Sequence, residues 1–292
     1  MKETVSFQFV TSHDLGPEGW LEAQRRFPEC CFPGTPVCSF QGGYDADDPR
    51  LREVMDFLAS HGWQPSKGWF GKLGPKEYWL RIKRKYSKSD FDTFEYFIFG
   101  GGGSPWEGGG GVDETPLTVL STKGMKPDDI RMVGLQRRVV PQRVRAIFEA
   151  EGVRHVTFHA TLVAPGWPTD FSKILTWEEM HEEPWWELRS DVVLPPLSPR
   201  CRLSDLDGND YNPDGPFRGL YVEEGNHENP EMHYRASDLA KLPEFDVALT
   251  RENLGAGNRD EIGTLVCSQR FRKMCQKHKL KVGFWPVRVD PE

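Results

Sequence analysis

The period of the hydrophobic positions changes several times along the chain, and each change marks an element. Val5-Ser-Phe-Gln-Phe-Val10 alternates as a half-buried strand does. Leu51, Val54, Met55 and Leu58 then recur at helical spacing, with Gly62 as a stop, and predict a helix over 50–61. Residues 78–82 and 94–99 read as strands, and the charged stretch 83–92 separates them as in a hairpin or meander. A strand over 117–121 and a short helix start at 127–131 follow. Val144, Ile147 and Phe148 share one face of a helix over 141–151, which Gly152 closes, and a strand runs over 153–163. Residues 177–181 are a short helical candidate. Trp186, Leu188, Val192 and Leu194 alternate with polar positions as in a strand. Further strands are expected at 219–222, 245–249, 264–266 and 282–289, with helices at 236–241 and 268–279.

One pattern occurs twice. Gln142-Arg-Val-Arg-Ala-Ile-Phe-Glu and Gln269-Arg-Phe-Arg-Lys-Met-Cys-Gln lie 127 residues apart and share Gln, Arg and Arg. Their apolar positions coincide too: Val144 with Phe271, Ile147 with Met274, Phe148 with Cys275 and Val153 with Leu280. One gap then aligns Val156-Thr-Phe158 with Val282-Gly-Phe284. Each copy, at 139–163 and 266–289, reads as a short strand, a helix and a second strand, because a helix with one apolar stripe needs a sheet to cover. The expected fold is therefore α+β, with mixed or antiparallel sheets, short covering helices and this duplicated helix-strand unit. The expected division is an N-terminal α+β region over 1–111 and a C-terminal α+β region over 112–292.

Composition agrees with a globular chain: of 292 residues 37% are hydrophobic and 28% charged, and ten tryptophans can supply a core. The net charge of −7 argues against a uniform nucleic-acid binder. No apolar run is long enough to predict a membrane-spanning helix, and the first residues are too polar for a signal-peptide core, so a cytoplasmic protein with reduced thiols is expected. Residues 100–111, Gly-Gly-Gly-Gly-Ser-Pro-Trp-Glu-Gly-Gly-Gly-Gly, read as a flexible loop or linker. A phosphate-binding loop would need a lysine in the loop and a helix after it; a strand follows instead. Trp106, exposed in such a loop, is a candidate contact residue.

Local motifs for chemistry each fail on spacing. Cys30, Cys31 and Cys38 could supply two or three zinc ligands but have no obvious fourth. His155 and His159, four apart on a strand, would stand about 13 Å apart. In His227-Glu228-Asn-Pro-Glu231-Met-His233 the second histidine lies six residues on, against four in a helical zinc-protease motif, and Pro230 disfavours a helix. Asp205-Leu-Asp207-Gly208-Asn209-Asp210 has its glycine in the fourth place, where a calcium loop needs it in the sixth. No cofactor or metal is expected. The last helix carries Arg270, Arg272, Lys273, Lys277, Lys279 and Lys281, which read as a solvated cationic face more than as a nucleic-acid groove.

Pro184-Trp-Trp-Glu-Leu188, a polar loop, the segment 234–242, then Thr264-Leu-Val-Cys-Ser-Gln-Arg-Phe-Arg272 and Val282-Gly-Phe-Trp-Pro-Val287 follow one another in the C-terminal half. That order resembles the double-CXXCG-motif proteins and related immunity-like proteins of bacterial polymorphic toxin systems, over residues 135–292. Their two cysteine pairs are not retained: one cysteine, Cys201, stands near the second, and Cys30-Cys31 is a poor match to the first, so no zinc role is carried over. The resemblance implies a bacterial, cytoplasmic, non-catalytic protein that binds and neutralises a cognate protein toxin. Glu223, Glu224, Glu228 and Glu231 form the densest acidic loop and are the candidate partner-binding residues with Trp106. The alternatives are an enzyme whose site is dispersed along the chain, and a nucleic-acid binder using the basic C-terminal helix.

Overall fold

The computed structural model describes residues 1–34, 37–66, 73–100, 109–111, 118–121, 129–133, 137–164, 173–204, 221–223, 227, 231–252, 254 and 263–291. They form two compact units: Met1–Phe91 with the described residues of Glu223–Pro230, and the remaining described residues from Asp92 on.

In the first unit, β1 (Lys2–Thr11), α1 (Ser12–Arg26), β2 (Cys31–Phe32), β3 (Ser39–Asp45), α2 (Pro49–Ser60), β4 (Gln64–Pro65), β5 (Glu77–Lys85) and α3 (Lys88–Phe91) follow in order. The sheet order is β2-β3-β1-β5-β4, with β1 antiparallel to both neighbours. Leu15 and Ala23 of α1 and Val54, Phe57 and Leu58 of α2 join Phe7, Val10, Phe40 and Tyr78 in one core. The apolar spacing of 50–61 anticipates α2. It does not reveal α1, because Gly16 (φ +71°) and Pro17 break that helix into two pieces at a kink and blur the periodicity. A capping box holds its start: the Thr11 hydroxyl accepts from the Asp14 N–H, and Asp14 accepts from the Thr11 N–H at 3.1 Å.

The second unit contains β6 (Tyr96–Gly100), β7 (Gly109–Gly111), β8 (Thr118–Ser121), β9 (Arg131–Val133), β10 (Arg137–Pro141), α4 (Gln142–Ala150), β11 (Thr157–Ala160), β12 (Leu162–Ala164) and β13 (Trp185–Arg189). It continues with β14 (Arg202–Ser204), β15 (Tyr221–Glu223), β16 (Met232–Arg235), α5 (Ala236–Leu239), β17 (Val247–Leu249), β18 (Leu265–Ser268), α6 (Gln269–Lys277) and β19 (Gly283–Asp290). The mixed and antiparallel sheets with short helices make the fold α+β, as the sequence pattern predicts. Several local expectations are corrected. The strands β5 and β6 are no hairpin: β5 pairs with β1, whereas β6 pairs with β18 and β19. β6 accordingly lies in the second compact unit. Gly109–Gly111, expected in a linker, pairs with β8 as a strand. Arg131–Val133 is a strand rather than part of a helix, and 177–181 forms turns.

The duplicated unit is present in both places as strand, helix and strand, and the pairing extends it. Two sheets run β11-β13-β10-β9 and β16-β19-β6-β18-β17. Their registers match rung by rung. Val139 faces Glu187 and Arg131, as Val266 faces Ile98 and Ala248. Phe158 faces Leu188, as Phe284 faces Phe99. Leu162 lies parallel to Val119, as Arg288 lies parallel to His233. The helices dock alike: Gln142 N–H donates to Pro184 O at 3.0 Å and Gln269 N–H to Glu95 O at 2.7 Å. Each copy therefore begins with a strand, β6 or β13, that is inserted into the sheet of the other copy. The two copies trade their first strands.

The same correspondence joins the copies through two aspartates. Asp246 accepts from Arg270 of α6 and from the Arg154 N–H, at 2.9 Å, just past α4. Asp129 accepts from Arg143 of α4 and from the Lys281 N–H, at 2.5 Å, just past α6. Each helix thus has an arginine, at its second position, on a carboxylate that also holds the chain leaving the other helix.

The turns that close the two helices differ at the position that takes a positive φ. Gly152 has φ +59°, and its counterpart Lys279 has φ +53°. A side chain in this left-handed region costs about 1 kcal/mol that glycine does not. Lys279→Gly is therefore expected to stabilise the protein by about 0.5–1 kcal/mol, read as a higher urea midpoint; an unchanged or lower midpoint would show that the turn is not strained.

Candidate partner-binding surface

The acidic loop expected to meet a partner is only partly described. Trp106, Glu224 and Glu228 lie outside the described residues, and Glu223 ends β15. Glu231 is no surface residue. It is buried, and its carboxylate accepts from Arg288 Nε at 2.7 Å and from an Arg288 Nη at 3.1 Å. Its proximity in sequence to the other glutamates concealed that it begins the approach to β16, a strand packed into the core.

A different acidic segment stands out among the described residues. Glu178, Glu179, Glu182 and Glu183 are all exposed on the turns before β13. Trp177 anchors them: its ring is buried, and its Nε1–H donates to the Thr161 hydroxyl at 3.0 Å. Thr161 donates in turn to Trp185 O at 2.8 Å, which ties the segment to the end of β11 and to β13. Thr176 caps the first turn, with its N–H and hydroxyl on the Glu179 carboxylate at 2.7 and 2.9 Å. Those bonds hold that carboxyl below its ordinary range. The signal in the sequence was Thr176-Trp-Glu-Glu-Met-His-Glu-Glu183, four acids around one buried tryptophan. Beside it, β11 exposes Thr157, His159 and Ala160.

The cationic helix α6 is less of a face than its composition suggests. Arg272 is buried, donates to Asp92 at 3.1 Å and to Gln269 at 2.9 Å, and lies over the Phe97 ring. Arg270 is engaged by Asp246 and by Glu151 O at 3.0 Å. Lys277 and His278 donate to Glu151 at 2.7 and 2.6 Å, and they hold its carboxyl below the ordinary range. A cleft of about 230 Å³ opens between Val153, Phe271 and Met274, with Lys273 at its rim.

The other candidate groups are parts of the scaffold. Cys201, His233 and Asp290 come together, but the Cys201 sulfur lies on the His233 backbone, accepting its N–H at 3.1 Å. The His233 ring and the Ser198 hydroxyl meet Asp290 at 3.0 and 2.9 Å. A nucleophile needs its base on the reacting atom, and this carboxylate instead sits between the hydroxyl and the imidazole. Glu187 is buried where the other copy has Ile98. It accepts from Thr118 at 2.7 Å and Arg189 at 3.0 Å, with Arg137 at 3.7 Å. His155 adopts φ +60° in the turn before β11 and meets Asp191 at 3.0 Å, so it does not share a strand with His159. His227 and His233 belong to different compact units. The loop 205–210 lies outside the described residues.

Burial pushes the Cys30, Cys267 and Cys275 thiols up, and burial beside Cys30 and Glu29 brings Cys31 to about 11. A thiol so held is protonated at neutral pH, whereas a zinc ligand is a thiolate. Among the described residues no group of three or more His, Cys, Asp or Glu side chains is placed to hold a metal ion, and no helix is long and apolar enough to cross a membrane.

Neither a protein-family model nor a curated protein matches the chain.

Proposed function

We propose that the protein is an immunity-like binding protein of the bacterial cytoplasm, which neutralises a cognate toxin by covering it and performs no chemistry of its own. The observation that carries this reading is how the buried acids are engaged. Asp129, Asp246, Glu187, Glu231 and Asp290 each accept from arginine, hydroxyl, imidazole or backbone donors that tie strands and turns together. Groups held in this way stabilise a shape, and a shape with acidic turns on its surface suits recognition of a basic partner. The residues on which the family resemblance rests have structural roles in this chain. Ser268 caps α6, Phe271 fills the core between the copies, and Val287 pairs with β16. The engagement of Arg270 and Arg272 within the fold argues against the nucleic-acid alternative, since phosphate binding would have to displace Asp246 and Asp92.

Co-expression tests the reading. The expected result is that this protein restores growth to cells producing the toxin encoded beside its own gene, and co-purifies with that toxin. No protection together with no complex would overturn it.

A further inference from the structure

We propose that the outer edge of β11, with the acidic turn at its end, takes up an extended lysine- or arginine-bearing segment of the toxin as an added strand; this rests on the immunity reading above. The edge is bare. Among the described residues β11 pairs only with β13, and Thr157, His159 and Ala160 are exposed. Sheet edges that face water are ordinarily guarded by lysine, proline or a bulge. Thr157-Phe-His-Ala160 has no proline, lysine, arginine, aspartate or glutamate.

The other copy shows what guarding looks like at the same place. Pro286 faces Phe97 there, as Ala160 faces Trp186 here. Proline has no N–H, yet Pro286 remains in its ladder, so at this rung the inner neighbour does not need that donor. The Ala160 N–H at the matching rung therefore points outward, and by strand alternation so does that of Phe158. Two donors and their carbonyls are then presented along the edge, which is the requirement for strand addition; Arg145, the cation over the Phe158 ring, is paired with Glu149.

Charge selects the occupant. The buried Trp177 and the Thr161–Trp185 bond fix the acidic turn at the Ala160 end of this edge. Glu178, Glu179, Glu182 and Glu183 are exposed there. Exposed carboxylates at that end attract a cationic strand and repel an acidic one.

The test uses the full-length ¹⁵N-labelled protein and a short blocked peptide of alternating lysine and valine, with the glutamate–valine peptide as control. The lysine peptide is expected to shift the amide signals of residues 157–160 and to slow their exchange, with affinity falling as salt rises. Ala160→Pro, copying Pro286, is expected to bind it about tenfold more weakly, the effect of losing a well-formed hydrogen bond. Glu178→Lys with Glu182→Lys is expected to weaken it as well. His159→Lys with Ala160→Lys, which alters exposed side chains only, guards against a folding defect in the proline variant. Shifts located elsewhere, equal binding of the acidic peptide, or binding of the lysine peptide unchanged in both edge variants would each overturn the proposal. Growth protection separates the two readings. If Ala160→Pro protects cells as the native chain does, the edge is wrong and the immunity reading stands. If the native chain gives no protection, that reading fails and the peptide titration still decides the edge.

Discussion

Replacing Asp246 with alanine is expected to destabilise the second unit by about 3–5 kcal/mol, the usual cost of breaking a buried ion-pair network from one side. The carboxylate is fully buried. It accepts from the Arg154 N–H at 2.9 Å, the Arg154 guanidinium at 3.3 Å, the Ser268 hydroxyl at 3.0 Å and Arg270. Alanine would leave the Arg154 N–H and the Ser268 hydroxyl without their acceptor and Arg270 without its carboxylate, while Arg154 keeps Glu244. Burial alone would raise the Asp246 pKa, but the Arg154 and Ser268 donors and the Arg270 charge outweigh it and hold the pKa below its ordinary 3.8. The sign follows from linkage: a lowered folded pKa contributes stability that is full above the unfolded value and lost as pH falls through the folded one. Urea unfolding followed across pH should therefore show the native chain losing stability below about pH 4, with that loss reduced in Asp246→Ala. A penalty under about 1 kcal/mol, the scale of a surface ion pair, would show that the network does not hold the copies together.

The second large effect is expected for Phe271→Ala, at about 3–5 kcal/mol. Phe271 is buried in α6, with its ring centroid 4.9 Å from Phe99 of β6 and 5.1 Å from Phe148 of α4. It therefore touches its own helix partner in the other copy and the traded strand at once. Calorimetry should show a lowered melting temperature for the second unit; a shift of only a degree or two would mean that neighbouring side chains close the cavity.

The legible part of the fold was the part held by local periodicity. Gln142-Arg-Val-Arg and Gln269-Arg-Phe-Arg identified both helices and the strands around them, because one apolar stripe recurs in each. The trade of first strands was not legible. Tyr96-Phe-Ile-Phe-Gly100 and Trp185-Trp-Glu-Leu-Arg189 share little but bulk, and pairing partners far apart in the chain leave no local mark. The site was read least well, for a related reason. Glu231 sits among other glutamates in the chain, but its burial depends on Arg288, 57 residues later. Arg272 likewise reads as one cation of a basic helix, while Asp92, 180 residues earlier, takes it into the core. Opposite charges brought together by topology look the same in sequence as charges facing water. The acidic turn 178–183 was passed over as a short helix, since its anchor, the Trp177–Thr161 bond, is a tertiary contact.

The trade of first strands between two copies of one unit places β13 between β10 and β11 and β6 between β18 and β19. Interstrand nuclear Overhauser contacts test it most directly. Phe97 should show cross-strand contacts to Cys267, and Trp186 to Val140. Contacts of Phe97 with Val140 and of Trp186 with Cys267 would mean that each copy keeps its own strand, and would contradict the account.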